Sequence, residues 1–62
     1  MDWKELGEKA REARVKKKMS QVEVAKALGV SSAFICQVEA GKKKPSSENL
    51  IKLSQLLKVK FF

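Results

Sequence analysis

Ser20-Gln21-Val22-Glu23-Val24-Ala25-Lys26-Ala27-Leu28-Gly29-Val30-Ser31-Ser32-Ala33-Phe34-Ile35-Cys36-Gln37-Val38-Glu39-Ala40-Gly41 is the stretch that decides the fold of this chain. Its apolar residues recur at steps of three and four, the period of a helix rather than a strand. Ser20 and Glu23 fit a capping box: the hydroxyl takes the third amide and the carboxylate reaches back to the cap amide. Val22, Val24, Ala25 and Leu28 follow, and Gly29 predicts a stop after about two turns, through a left-handed residue. Ser31 caps again, Ile35, Val38 and Glu39 share one face, and Gly41 closes a second short helix. Helices joined this tightly cross steeply, so the second is presented outward while the first braces it. On a helical wheel centred on Ile35, Val38 and Glu39 lie inward, whereas Ala33, Cys36, Gln37 and Ala40 lie outward. Ser32 and Phe34 fall at the borders.

The flanks continue the pattern. From Asp2 to Lys18, Trp3, Leu6, Ala10 and Ala13 keep helical spacing, while Glu5, Glu8 and Glu12 give way to Lys16, Lys17 and Lys18. Acids early and bases late suit the helix macrodipole, which favours one long first helix. Beyond Gly41, Lys42-Lys43-Lys44-Pro45 reads as a basic loop. Ser46 or Ser47 then caps a fourth helix carrying Leu50, Ile51, Leu53, Leu56 and Leu57. The expected class is all-α, one domain over residues 1–62 with the two central helices at 20–41.

Composition narrows the function. The chain has 62 residues with 14 Lys and Arg against 7 Asp and Glu, a net charge of +7. That length serves one small core and no second lobe. No apolar run approaches the ~20 residues that span a bilayer, and no apolar secretory region follows a basic start; the expected location is the cytoplasm, at the nucleoid. One cysteine, Cys36, and no histidine leave nothing for a disulfide framework or a structural zinc. There is no nucleophile–base pair either, so neither catalysis, a cofactor nor a small-molecule ligand is expected. The positive surplus points to a polyanion, either nucleic acid or an anionic membrane surface. Regular caps and an inward Glu39 argue against the membrane, where one long amphipathic face is needed.

The segments Ser20 to Ala25, Leu28-Gly29-Val30-Ser31, Ile35, Val38-Glu39-Ala40-Gly41 and Lys44-Pro45, at these spacings, resemble the xenobiotic-response-element family of helix-turn-helix proteins. That family includes the Cro and repressor proteins of lambdoid phages. The resemblance runs from Leu6 to Val59. It implies a compact four- to five-helix, lambda-repressor-like domain whose third helix enters the major groove of double-stranded DNA. The implied function is transcriptional regulation, as a repressor that binds a pseudo-palindromic operator as a homodimer. A protein-interaction module, such as an antitoxin or co-activator, is the alternative on the same fold.

Residue by residue, the resemblance implies that Gln21, with Ser20 beside it, approaches a backbone phosphate. Ser31, Ser32, Ala33 and Gln37 match positions facing base edges or nearby phosphates. Arg14 and Glu39 match a semi-buried salt bridge that ties the first helix to the third. Lys42, Lys43 and Lys44 match the loop lying along the sugar–phosphate backbone. Cys36 shares the outward face with the base-side residues, and Phe34 at its border is either packed on the second helix or offered to the DNA, at thymine methyls or beside the phosphate contacts. Elementary chemistry agrees: a glutamine amide such as Gln37 can pair bidentately with adenine. Free amides near Gln21 and Ser47 suit phosphate oxygens, and consecutive lysines grip the backbone without reading sequence.

The chain departs from the family pattern in three places. Positions 10 and 13 hold Ala where larger aliphatics are usual, and Trp3 is the candidate to fill that volume. Ser32 and Ala33 are short, so direct readout rests on Gln37, with DNA shape supplying the rest. After Val59 the family generally continues into a fifth helix, often the two-fold interface, whereas this chain ends Lys60-Phe61-Phe62. A shortened chain, or a terminal Phe pair that covers the core and helps dimerisation, are the two readings.

Overall fold

In the computed structural model, which describes residues 2–61, a short polar side chain opens each helix. Asp2 heads α1 (Trp3–Lys16), Ser20 heads α2 (Gln21–Leu28), Ser31 heads α3 (Ser32–Glu39) and Ser46 heads α4 (Ser47–Leu57). The Lys4 amide donates to Asp2 Oδ1 at 3.0 Å, and the Phe34 amide to Ser31 Oγ at 3.1 Å. The capping box at α2 is complete: the Glu23 amide donates to Ser20 Oγ, and the Ser20 amide to Glu23 Oε1. At α4 the Asn49 amide donates to Ser46 Oγ at 3.2 Å, so Ser46 rather than Ser47 is the cap. Among the described residues there is no strand, and no helix is long and apolar enough to cross a membrane.

The helices end by leaving right-handed space. Gly29 sits at φ 74°, ψ 32°, where the Val30 amide donates to the Ala25 carbonyl at 2.9 Å. A Cβ at Gly29 would meet nothing within 4 Å, so the left-handed φ is what requires glycine there. Two other helices end with lysine in that role: Lys18 at φ 57° after α1 and Lys58 at φ 54° after α4. Because Lys18 has left the helix, α1 closes at Lys16, short of the span read from periodicity.

Helix α1 packs on α3 and α4, and α2 packs on the same two. Leu6, Val24, Ile35 and Leu53 are at most 4% exposed at the centre of the core. Phe61 is 9% exposed and belongs to the same cluster, so the chain's penultimate residue covers the core; Phe62 lies outside the described residues. Val22 and Ile51, which keep helical spacing with core residues, are instead half exposed.

The small residues of α1 have a structural reason. The helix crosses the end of α3 so closely that a Cβ on Gly7 would overlap the Val38 carbonyl oxygen and lie 2.6 Å from that of Glu39. Gly41, at φ 77°, makes the reciprocal approach, since a Cβ there would lie 2.7 Å from Lys4 Cα. Ala10, three residues after Gly7, is 2% exposed, and Trp3 packs half-buried against the core from the start of the helix.

These contacts order a set of substitutions. Gly7→Ala improves intrinsic helix propensity yet is expected to lower stability by about 1–3 kcal/mol, through overpacking against backbone that cannot rotate away. Gly29→Ala should cost about 1 kcal/mol through the left-handed backbone, and Lys18→Gly should raise stability by up to about 1 kcal/mol for the same reason. Urea midpoints at constant slope measure the order. A Gly7→Ala protein as stable as the parent would mean that α1 and α3 are free to move apart.

Candidate nucleic-acid interface

The packed α2–α3 pair presents one face of α3 to solvent. Ser32, Ala33, Cys36, Gln37 and Ala40 are exposed, whereas Ile35 and Val38 are each 2% exposed on the opposite side. Phe34 is half-buried and packs against the core, with its amide held by Ser31 Oγ. The thiol of Cys36 is free and exposed. The one acid within α3, Glu39, faces inward and is neutralised there, so the exposed face of α3 carries no carboxylate.

Glu39 is the hub behind that face. Its Oε2 accepts from Arg14 Nε at 2.7 Å, and its Oε1 accepts from Arg14 Nη2 at 3.3 Å and from Gln21 Nε2 at 3.1 Å. Arg14 Nη1 donates further to the Met19 carbonyl at 2.8 Å. The two charged side chains are 13% and 7% exposed. This is the paired, multiply hydrogen-bonded geometry that a largely desolvated carboxylate requires. The Arg14–Glu39 pair therefore joins α1, the turn after it, the first residue of α2 and the last residue of α3.

Gln21 is half-buried, and one N–H of its amide is committed to Glu39. The second N–H and the carbonyl oxygen remain as hydrogen-bonding capacity. Ser20 and Ser31 act as caps through their oxygens, which leaves each hydroxyl proton to donate outward. Ser47 is exposed in the first turn of α4. Lys42, Lys43 and Lys44 are exposed in the loop that follows α3. The Lys42 and Lys43 amides both donate to the Gln37 carbonyl, at 2.9 and 3.2 Å, so the loop is fastened to the residue whose side chain heads the exposed face.

A recess of about 300 Å³ between α1, α2 and α3 is lined by Arg11, Arg14, Gln21, Cys36, Glu39 and Ala40. It brings the start of α2 beside the C-terminal half of α3, so Gln21 and Cys36 meet there. Ser31, Ser32 and Ala33 lie at the other end of the helix, at 1.5 Å of rise per residue. Two participants escape sequence reasoning. Arg11 is an exposed cation at this recess, and nothing in its spacing distinguishes it from the other polar residues of α1. Gly7 sets the α1–α3 approach, and its signal was a glycine inside an otherwise regular helix.

A family model described as helix-turn-helix matches residues 11–62 of the chain. The ImmF control region 10 kDa protein of Bacillus phage phi105 is 35% identical over 57 residues, which are 92% of this chain and 63% of that protein. The chain thus spans less than two thirds of the length of this curated relative. Among solved structures, the restriction-modification controller protein C.AhdI from Aeromonas hydrophila superposes with a TM-score of 0.87 at 30% identity. That match covers 95% of this chain and 89% of C.AhdI.

Replacing Glu39 by Ala strands Arg14 in a largely desolvated site and is expected to cost about 3 kcal/mol of stability. Replacing both partners by similar-sized apolar residues (Arg14→Met with Glu39→Leu) should recover most of that loss. Denaturant titration checks both. A loss below about 1 kcal/mol for Glu39→Ala would place the pair with solvent-screened surface bridges instead.

Proposed function

Because the chain belongs to the helix-turn-helix family, of the Cro/C1 type of DNA-binding transcriptional regulators, we propose that it binds a specific DNA operator through α3. The observation that carries this reading is the exposed, carboxylate-free face of α3 continuing into the Lys42–Lys44 loop. A helix fits the major groove, where Gln37 is long enough to reach adenine N6 and N7 together. Ser32, Ala33 and Cys36 offer a hydroxyl, a methyl and a thiol at short range, so they read shape and apolar contact more than hydrogen-bond pattern. Phe34 borders this set.

Phosphates are met around that face. Ser20 and Gln21 at the head of α2, Ser31 at the head of α3 and Ser47 at the head of α4 pair a side-chain donor with helix amides and the positive end of the dipole. Lys42, Lys43 and Lys44 supply charge along the backbone, the sequence-independent part of affinity that salt weakens. The Arg14–Glu39 pair is structural in this reading: it holds the angle at which α3 is offered. The protein acts as a repressor in the cytoplasm, at the nucleoid, as a binding protein without catalysis or cofactor. It acts as a homodimer whose two α3 helices lie about 34 Å apart on a pseudo-palindromic site. The phage control-region relative and the restriction-modification controller support regulation as its business.

Selection from random duplexes at stated salt supplies the operator. On it, Gln37→Ala is expected to weaken specific binding by about 1–3 kcal/mol and to relax one base position, with random-DNA affinity unchanged. Lys43→Ala should weaken both and lower the salt slope by about 1. Equal loss on operator and random DNA for Gln37→Ala would remove α3 as the reading element. Maleimide labelling offers a check at the chain's one cysteine: Cys36 should be protected by operator DNA, and prior labelling should abolish binding. Undiminished labelling in the complex would place the DNA elsewhere.

A further inference from the structure

The loop between α3 and α4 is built more firmly than a run of three lysines suggests. Its start hangs from the Gln37 carbonyl by two amides, Gly41 lies against the backbone of Lys4, and Pro45 is buried. At Lys44 the Nζ stands over the indole of Trp3, 5.2 Å from the ring centroid. Trp3 is the first residue of α1, behind the Asp2 cap, and packs half-buried against the core, while Lys44 is exposed. A fixed aromatic face and a solvated cation thus meet at the edge of the proposed DNA surface. The distance is within the range at which an ammonium is attracted to a ring face, and tryptophan is the strongest of the three aromatic partners.

We propose that Trp3 is a positioning residue for DNA: its indole face holds the Lys44 ammonium where a backbone phosphate is received. The inference rests on the DNA-binding reading of the loop and names how one of its contacts is made. A free lysine loses much rotamer freedom when it is immobilised on binding. Holding the ammonium over the indole meets part of that loss before DNA arrives. The cation–π contact leaves the charge intact and two or more N–H donors directed away from the ring. A phosphate can therefore add to the contact without displacing it. The long side chain crosses from the loop back to α1, so the N-terminus of the first helix becomes part of the DNA-binding apparatus.

Trp3 is the chain's one tryptophan, so its emission reads the event directly. Titration of the full chain with a mixed-sequence DNA duplex at low salt should change Trp3 emission in step with binding measured by anisotropy of the labelled duplex. In Lys44→Gln, which leaves the core untouched, the emission change should be lost. Lys44→Gln and Trp3→Leu should each weaken duplex binding about fivefold, and together no more than about fivefold, because the two residues act as one unit. Trp3→Phe should restore part of the Trp3→Leu loss, since its ring still attracts the cation. Independent losses multiplying to about 25-fold in the double variant would make Trp3 a core residue only and overturn the proposal. So would full emission change in Lys44→Gln. Parent protein that binds duplex while Lys44→Gln binds as tightly sinks the positioning role and leaves the DNA reading standing. Parent protein that binds no duplex sinks both.

Discussion

The carboxylate of Glu39 is the point on which the rest of the structure depends. Two nitrogens of Arg14 and the amide of Gln21 converge on it, while the carbonyl of the same residue lies against Gly7. Side chain and backbone of one residue thus fix the end of α3 against α1 and the start of α2. A helix of 8 residues cannot orient itself by its own burial alone; Ile35 and Val38 hold its inner face, and Glu39 sets its angle. The loop that follows inherits this placement through the Gln37 carbonyl and Gly41.

The crossing explains a first helix that looks underfilled. Gly7 and Ala10 lie on the side that meets α3, where backbone approaches backbone and larger side chains would hold the helices apart. The volume of the core is supplied instead by Leu6, the leucines of α4, and two aromatic residues near the chain's ends, Trp3 and Phe61. Strain is accepted elsewhere, at Lys18 and Lys58, where lysine occupies backbone that glycine adopts freely. Both lysines follow helix C-termini, where a positive charge meets the negative end of the dipole and offsets part of that cost.

Function in this architecture is a matter of what the rigid frame leaves outside. The inward acid is neutralised and the caps use serine oxygens without consuming their protons. What faces water along α3 and its loop is one amide, small side chains, a thiol and three lysines. In the proposed reading that division separates a surface that distinguishes bases from one that supplies only charge, and both are carried by the 13 residues from Ser32 to Lys44.

Much of this is legible in the amino-acid sequence. Ser20, Glu23, Gly29 and Ser31 are local instructions: a cap or a left-handed turn needs only the residues beside it, so sequence determined the short helices and the turn between them. The outward set on α3 followed from a 3.6-residue period, which also needs no partner helix. The bridge between Arg14 and Glu39 was accessible through resemblance to a family, not through spacing. Tertiary structure decided the rest. That Gly7 is a contact and not a weakness, that Val22 and Ile51 face water while Phe61 is buried, that Gln21 shares Glu39 with Arg14, and that Lys44 lies over Trp3 all depend on how helices approach one another. The Lys44–Trp3 contact alone joins residues 41 positions apart in the chain, and local periodicity carries no information about such approaches.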